Sequence, residues 1–266
     1  MKATMATKPA AKSAALKKTP TVASTAVAVK KPVAGNVASI QEALRAQVAG
    51  LGGRIAPATG NAIRLTQDKK ISLPDGTKTE GPLELVVVDF VTTHNFYAGR
   101  FDKDNIVPPD CFAIGVDPKN MVPSPNAPNP QAKDCQSCPM NAWGSDGKGK
   151  ACKNGRKLAV LPPAADDTTD IWTLGVSPTA LKNFDGYVAS VARTFGVPPV
   201  GVVTTVELSG AVDYPQLQFG NPQPNENVAV AFARQGEARE LLMVEPDVSS
   251  WQAPTQRPAK KVAARR

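Results

Sequence analysis

The 266-residue chain holds four cysteines, Cys111, Cys135, Cys138 and Cys152. Cys135 and Cys138 form a CxxC pair, with one partner 23 intervening residues upstream and the other 13 downstream. Four thiolates satisfy one tetrahedral zinc ion, and a CxxC turn brings two sulfurs to the same ion. The order of one distant ligand, CxxC and a last ligand is not the symmetric double CxxC of a zinc ribbon. The alternatives are a redox CxxC or a pair of disulfides, a four-thiolate iron–sulfur cluster, and four unrelated thiols. Pro139, Asn141 and Gly144 follow the pair at once, whereas a redox CxxC follows a strand and opens a helix. The reading is a structural zinc site on Cys111, Cys135, Cys138 and Cys152, with no open catalytic position.

The segment between these cysteines carries charge that makes its own chemistry. Lys133, Lys148, Lys150, Lys153, Arg156 and Lys157 face only Asp134 and Asp146 across 133–157. The net charge of +8 is divided unevenly: residues 1–36 hold seven lysines and no acid, and 252–266 hold five basic residues and no acid. The remainder is mildly acidic, so basicity is confined to the two tails and the cysteine segment. Cations on a glycine-rich loop can follow a phosphate backbone, with counterion release driving association. Trp143 lies beside them and either stacks on a base or packs over the loop. Phe96, Tyr97 and Arg100, with Phe101, offer a second interleaving of aromatics and arginine. Each has a plainer use: solvated lysines, and a core fate for Phe101.

Catalytic patterns fail on chemistry. Gly144–Ala151 matches GxxxxGK, but Ala151 stands where a magnesium-binding hydroxyl is needed. His94 is the single histidine, and it reads as a structural residue or a fifth candidate ligand. Neither HExxH nor GxSxG occurs. Asp102 with Asp104, and Asp166 with Asp167 and Asp170, could hold a divalent cation as nucleases require, but their contexts read as turns and caps.

The elements that would position these groups are mostly strands. Residues 1–36 predict a disordered basic arm, 37–251 a core domain with its metal loop at 108–157, and 252–266 a disordered basic tail. Ser39–Val48 suggests a short helix with a capping box. Ile63 and Leu65 alternate, and Ile71 and Leu73 precede a Pro74-Asp75-Gly76 turn. Leu83–Val91 is the strongest strand, apolar enough for burial on both faces. Phe96–Phe101, Cys111–Val116, Arg156–Leu161, Ile171–Val176, Val200–Leu208 and Tyr214–Phe219 follow as strands. Residues 117–155 form a proline-rich excursion so long that something must tie it down, and the metal is the expected tie. Ser177-Pro178 opens a helix whose stripe Leu181, Phe184, Val188, Val191 and Phe195 faces the core until Gly196. Val228–Phe232 is strand or helix, and Glu237–Val244 is helix. The fold class is mainly β with one or two helices (α+β), a partly open OB-like barrel with an inserted metal loop. No apolar run is long enough to span a membrane, and no secretory h-region precedes it, which suits a reducing cytoplasm.

The strings CFAIG, CQSCPMNAWGS, GKGKACKNGRKLAVL and YPQLQF resemble those of small cysteine-containing phage and prophage proteins, some of them single-stranded-DNA-binding replication proteins with an OB-type barrel. The resemblance covers roughly residues 60–245, and its specific part is 108–161. It implies a four-thiolate metal loop on a β-barrel, single-stranded DNA as ligand, phage replication proteins as partners, and the cytoplasm of an infected bacterial host. Many such proteins end in an acidic tail; this chain ends in PAKKVAARR. The reading is a non-enzymatic binder of single-stranded DNA. The alternatives are a zinc-scaffolded interaction module regulating a polymerase, and a metal-dependent nuclease.

Overall fold

A near-continuous apolar run organises the molecule. The computed structural model describes residues 60–99, 102 and 106–252, so the expected arm, the Ser39–Val48 helix, Arg100, Phe101, Asp104 and nearly all of the basic tail lie outside the described residues. Strand β4 runs Leu83–Phe96, five residues further than its apolar core predicts. The expected separate strand at Phe96–Phe101 is therefore corrected: Phe96 is the last residue of β4. The other strands are β1 (Ala62–Leu65), β2 (Ile71–Ser72), β3 (Lys78–Thr79), β5 (Cys111–Gly115), β6 (Lys153–Leu161), β7 (Trp172–Val176), β8 (Val202–Leu208) and β9 (Leu217–Pro224). Three α-helices are described: α1 (Leu181–Phe195), α2 (Val228–Ala233) and α3 (Gln235–Leu242).

The strands form one mixed sheet in the order β3-β2-β1-β7-β6-β4-β8-β9, curled into a half-barrel, with β5 also paired to β4. Only β1 and β7 run parallel. The length of β4 lets it serve two partners on one edge: Leu83–Leu85 pair with β8, and Thr92–Phe96 with β5. Its other edge pairs with β6 along almost its whole length, interrupted by a bulge between Val87 and Asp89. Prolines 222 and 224 fall on β9, the outermost strand on its side, where a missing N–H costs no ladder bond.

Both faces of the sheet are filled. Leu85, Val87, Leu158, Val160 and Leu174 meet Phe184 of α1 on one face. Val86, Val88, Val91, Ala159 and Leu161 meet Ala238 and Leu242 of α3 on the other. Phe184 is fully buried and stands edge-on to Phe90 and Phe219 at 5.1 Å each. Burying such a ring contributes about 1.5–3 kcal/mol. Helices thus cover the centre of the sheet, and the remaining surface belongs to edges and loops.

Two helix expectations need revision. Ser177 caps no helix: its hydroxyl meets Thr179 Oγ1 at 3.0 Å, Pro178–Ala180 form a 3-10 turn, and α1 begins at Leu181. The α1 stripe buries Phe184, Tyr187 and Val191, but Phe195 is 38% exposed. Tyr187 gains a place because its hydroxyl finds Thr204 Oγ1 at 2.7 Å inside the protein. Gly196 ends α1 in the left-handed conformation (φ 68°), its N–H on Ala192 O, as a glycine there should. Val228–Phe232 resolves as helix.

Candidate metal centre and nucleic-acid interface

The cysteine centre is built on the far end of β4. Register pairs Phe96 with Cys111 of β5 and His94 with Ala113 of β5 and Asn154 of β6. Opposed residues and i, i+2 neighbours share a face of a pleated sheet. Phe96, Cys111, Ala113, His94 and Asn154 therefore lie on one face, beyond the part covered by α1. Cys152 enters one residue before β6 and is buried with Phe96 and Cys111.

The excursion from Val116 to Ala151 supplies the other two cysteines. Its backbone is tied at intervals: Ser124 N donates to Phe112 O at 2.8 Å, Asn129 N to Asp110 O at 2.7 Å, Cys135 N to Met121 O at 3.0 Å and Cys152 N to Met140 O at 2.8 Å. Met121 and Cys135 bury against Ala113. A segment after α3 straps the excursion from outside: Glu245 accepts from Ser124 Oγ at 2.6 Å and Asn126 Nδ2 at 2.8 Å, and Trp251 Nε1 donates to Asp110 at 3.2 Å. The long loop thus has polar ties that the sequence did not disclose.

All four thiols are free of disulfides; Cys111, Cys135 and Cys152 are buried, and Cys138 is half-buried. The four, with His94, Phe96 and Asn141 among their neighbours, line one void of about 10 Å³, enough for a single water-sized body. Burial pushes the Cys135 thiol up to about 11 and Cys152 to about 12, and the neighbouring sulfurs add to both. Cys111 also rises through burial, while the backbone N–H of Gln131 on its sulfur works the other way. Among the described residues, no three His, Cys, Asp or Glu side chains stand in ready metal-ligating geometry. The thiols face a common space without closing on it.

His94 is 5% exposed, and its Nδ1 has no hydrogen-bond partner; the only other such buried side-chain atom among the described residues is Oδ1 of Asn154, the residue opposite. Burial first, then the charges of Lys150 and Arg156, lower the His94 pKa to about 4, so the ring is neutral at physiological pH.

The basic residues do not form one patch. Lys157 points under α3, where its ammonium donates to Leu241 O at 3.1 Å and to Leu242 O and Val244 O at 3.4 Å. It satisfies the carbonyls at a helix C-terminus, where a cation is favoured. Arg156, one residue away, takes the opposite face and pairs with Asp185 of α1 at 3.1 Å. Lys150 donates to Asn141 Oδ1 at 3.1 Å, and Lys153 pairs with Asp146 at 2.8 Å. Lys148 is exposed on the loop tip.

The aromatics separate as sharply. Phe96 is 9% exposed and buried against Cys111 and Cys152, which leaves no face for a base. Tyr97, the next residue, is 42% exposed. Trp143 is 80% exposed, so it does not pack over the loop. The loop behind it is tight: Gly144 N and Asp146 N both donate to Gly149 O, and Gly144 (φ 89°) and Gly147 (φ 70°) adopt a conformation that other residues resist. Ser145 Oγ reaches back to Met140 O at 2.9 Å and Ala142 O at 2.7 Å, fixing the turn to the CxxC segment. Of the aspartates, Asp166 accepts from Thr168 and Thr169 as a turn cap, which lowers its pKa to about 2.

No helix among the described residues is long and apolar enough to cross a membrane. Comparison with protein-family models, with curated proteins and with solved structures finds no match for this chain.

Proposed function

We propose that this chain is a non-catalytic, phage-type binder of single-stranded DNA whose contact loop is stapled by a structural zinc ion on Cys111, Cys135, Cys138 and Cys152. The observation that carries the reading is Trp143, an 80% exposed indole on a glycine turn beside Lys148, Lys150 and Lys153. An exposed indole offers both faces of a flat ring for stacking. A base stacks there without sequence preference, and the lysines follow the phosphates. Tyr97, the residue after β4, is 42% exposed and offers a second aromatic surface.

The metal reading is supported by donor chemistry. Four unoxidised thiols and a neutral imidazole border one ion-sized void, and a backbone N–H already meets Cys111 sulfur. Such N–H donors stabilise a bound thiolate. The ion would displace four thiol protons and draw the loop onto itself. The curled sheet with a long shared central strand is compatible with an OB-like ancestry. With helices over both faces of the sheet, this reading gives DNA the loops instead of an open sheet face.

The test is titration of a fluorescein-labelled oligonucleotide at several salt concentrations with wild type, Trp143→Ala and Lys148→Ala/Lys150→Ala. Trp143→Ala should weaken binding about five- to hundred-fold, the cost of removing one base–indole stack. The lysine pair should flatten the salt slope by roughly 0.7 for each phosphate no longer neutralised. Unchanged affinity and slope in both variants would refute the assignment.

A further inference from the structure

His94 has no part in gripping DNA, yet its position is unusual. It is the single histidine of the chain, 5% exposed, on the face of β4 that carries the cysteine centre. It lines the same void as the four thiols, and its Nδ1 finds no partner. An unpaired buried polar nitrogen is unfavourable, and such groups are rare enough to need a reason. A nearby residue shares the anomaly. Asn154 stands directly opposite in register, gives its amide N–H to Asn141 Oδ1 at 3.0 Å, and leaves its own Oδ1 unpaired. The two orphaned atoms belong to one cross-strand pair, of which His94 lines the void. Among the thiols, Cys138 alone is not buried.

We propose that His94 is a fifth donor of the metal centre, able to take the ion's fourth position in place of Cys138. This rests on the zinc reading. Zinc accepts Cys₄ and Cys₃His sets alike. With one ring nitrogen on the ion, the other ring N–H would have the unpaired Oδ1 of Asn154, on the residue opposite in register, to turn to as the outer partner that a ligating imidazole requires. Cys111, Cys135 and Cys152 form the permanent set, and Cys138, at the rim, is the exchangeable one. The ion then keeps four donors when Cys138 is alkylated or removed, and the loop stays stapled.

The experiment uses the full chain loaded with Co²⁺ or ¹¹³Cd²⁺. Wild type should bind one Co²⁺ with an intense tetrahedral spectrum. Cys138→Ser should still bind one, with weaker thiolate charge transfer and ligand-field bands moved to higher energy, as for three sulfurs and one nitrogen. Adding His94→Gln to Cys138→Ser should lower affinity at least ~10-fold, whereas His94→Gln alone should leave the wild-type spectrum unchanged. A second readout is independent of affinity. In ¹⁵N-histidine-labelled, ¹¹³Cd-loaded Cys138→Ser, the single imidazole should show ¹¹³Cd–¹⁵N coupling. A Cys138→Ser spectrum indifferent to His94→Gln, or a loaded variant without that coupling, would overturn the proposal while leaving a four-cysteine site standing. Wild type that takes up no metal would remove the zinc reading, and this proposal with it.

Discussion

The two ends of β4 are held by different physics. From Leu85 to Val88, and again at Val91, the strand is closed in hydrocarbon, with α1 on one face and α3 on the other. From Thr92 to Phe96 it lies under a polar excursion, and the buried content there is three thiols with a fourth half-buried, one imidazole, Phe96, Met121 and a few small groups. The first end gains stability from area removed from water. The second has too little apolar area for that, and uses main-chain ties, a strap through Glu245 and, on the proposed reading, a metal cross-link. One strand can therefore anchor a hydrocarbon core and, on the proposed reading, a loop that answers to a ligand. The two regions should respond separately to perturbation.

The largest expected effect is in the hydrocarbon end. Phe184→Ala should cost about 3–5 kcal/mol of global stability, read by denaturant melts, with the same loss in the presence and absence of chelator. A chelator-dependent loss would show that the ends are not independent. Next, Cys152→Ser or metal removal should make the excursion sensitive to trypsin at Lys133, Lys148 and Lys150 while the core transition moves little. Coincident loss of both would merge the two regions into one cooperative unit. Tyr187→Phe should cost about 1–2 kcal/mol through the broken bond to Thr204, which calorimetry would resolve without any change in oligonucleotide binding. The smallest stability effect belongs to Trp143→Ala. With the indole 80% exposed, its melting point should equal wild type while binding falls. A large drop in melting point would instead make Trp143 a packing residue.

The core was readable because its signals are local. The near-continuous apolar run Leu83–Val91 marked the strongest strand, and Pro74-Asp75-Gly76 makes the expected turn, with Gly76 N on Leu73 O at 2.9 Å. The stripe from Leu181 announced a helix, but Ser177 misled. Its hydroxyl has a competing partner in Thr179, and Pro178 starts a 3-10 turn before the helix proper. The types and spacing of the cysteines led to the expectation of one shared space, and all four do line one void, without a ready metal-ligating group among the described residues. The fate of the cations was not legible. Arg156 and Lys157 are adjacent in a basic string, and only strand pairing sends one to Asp185 and the other beneath α3. Phe96 and Tyr97 part for the same reason. Glu245 and Asp185 lie far along the chain from what they hold, so no local pattern could reveal them.

The irregularity between Val87 and Asp89 has a further consequence. Before it, odd-numbered side chains of β4 face α1; after it, even-numbered ones take that side, beginning with Phe90. A single extra residue acts as a phase shifter between two halves of a strand. Removing Val88 would restore uninterrupted alternation, and it would turn either His94 and Phe96 or Leu85 and Val87 to the wrong side. Sulfur chemistry and hydrocarbon packing share one ribbon because of that half-step, so one-residue insertions and deletions within 86–94 should be far less tolerated than substitutions at the same positions.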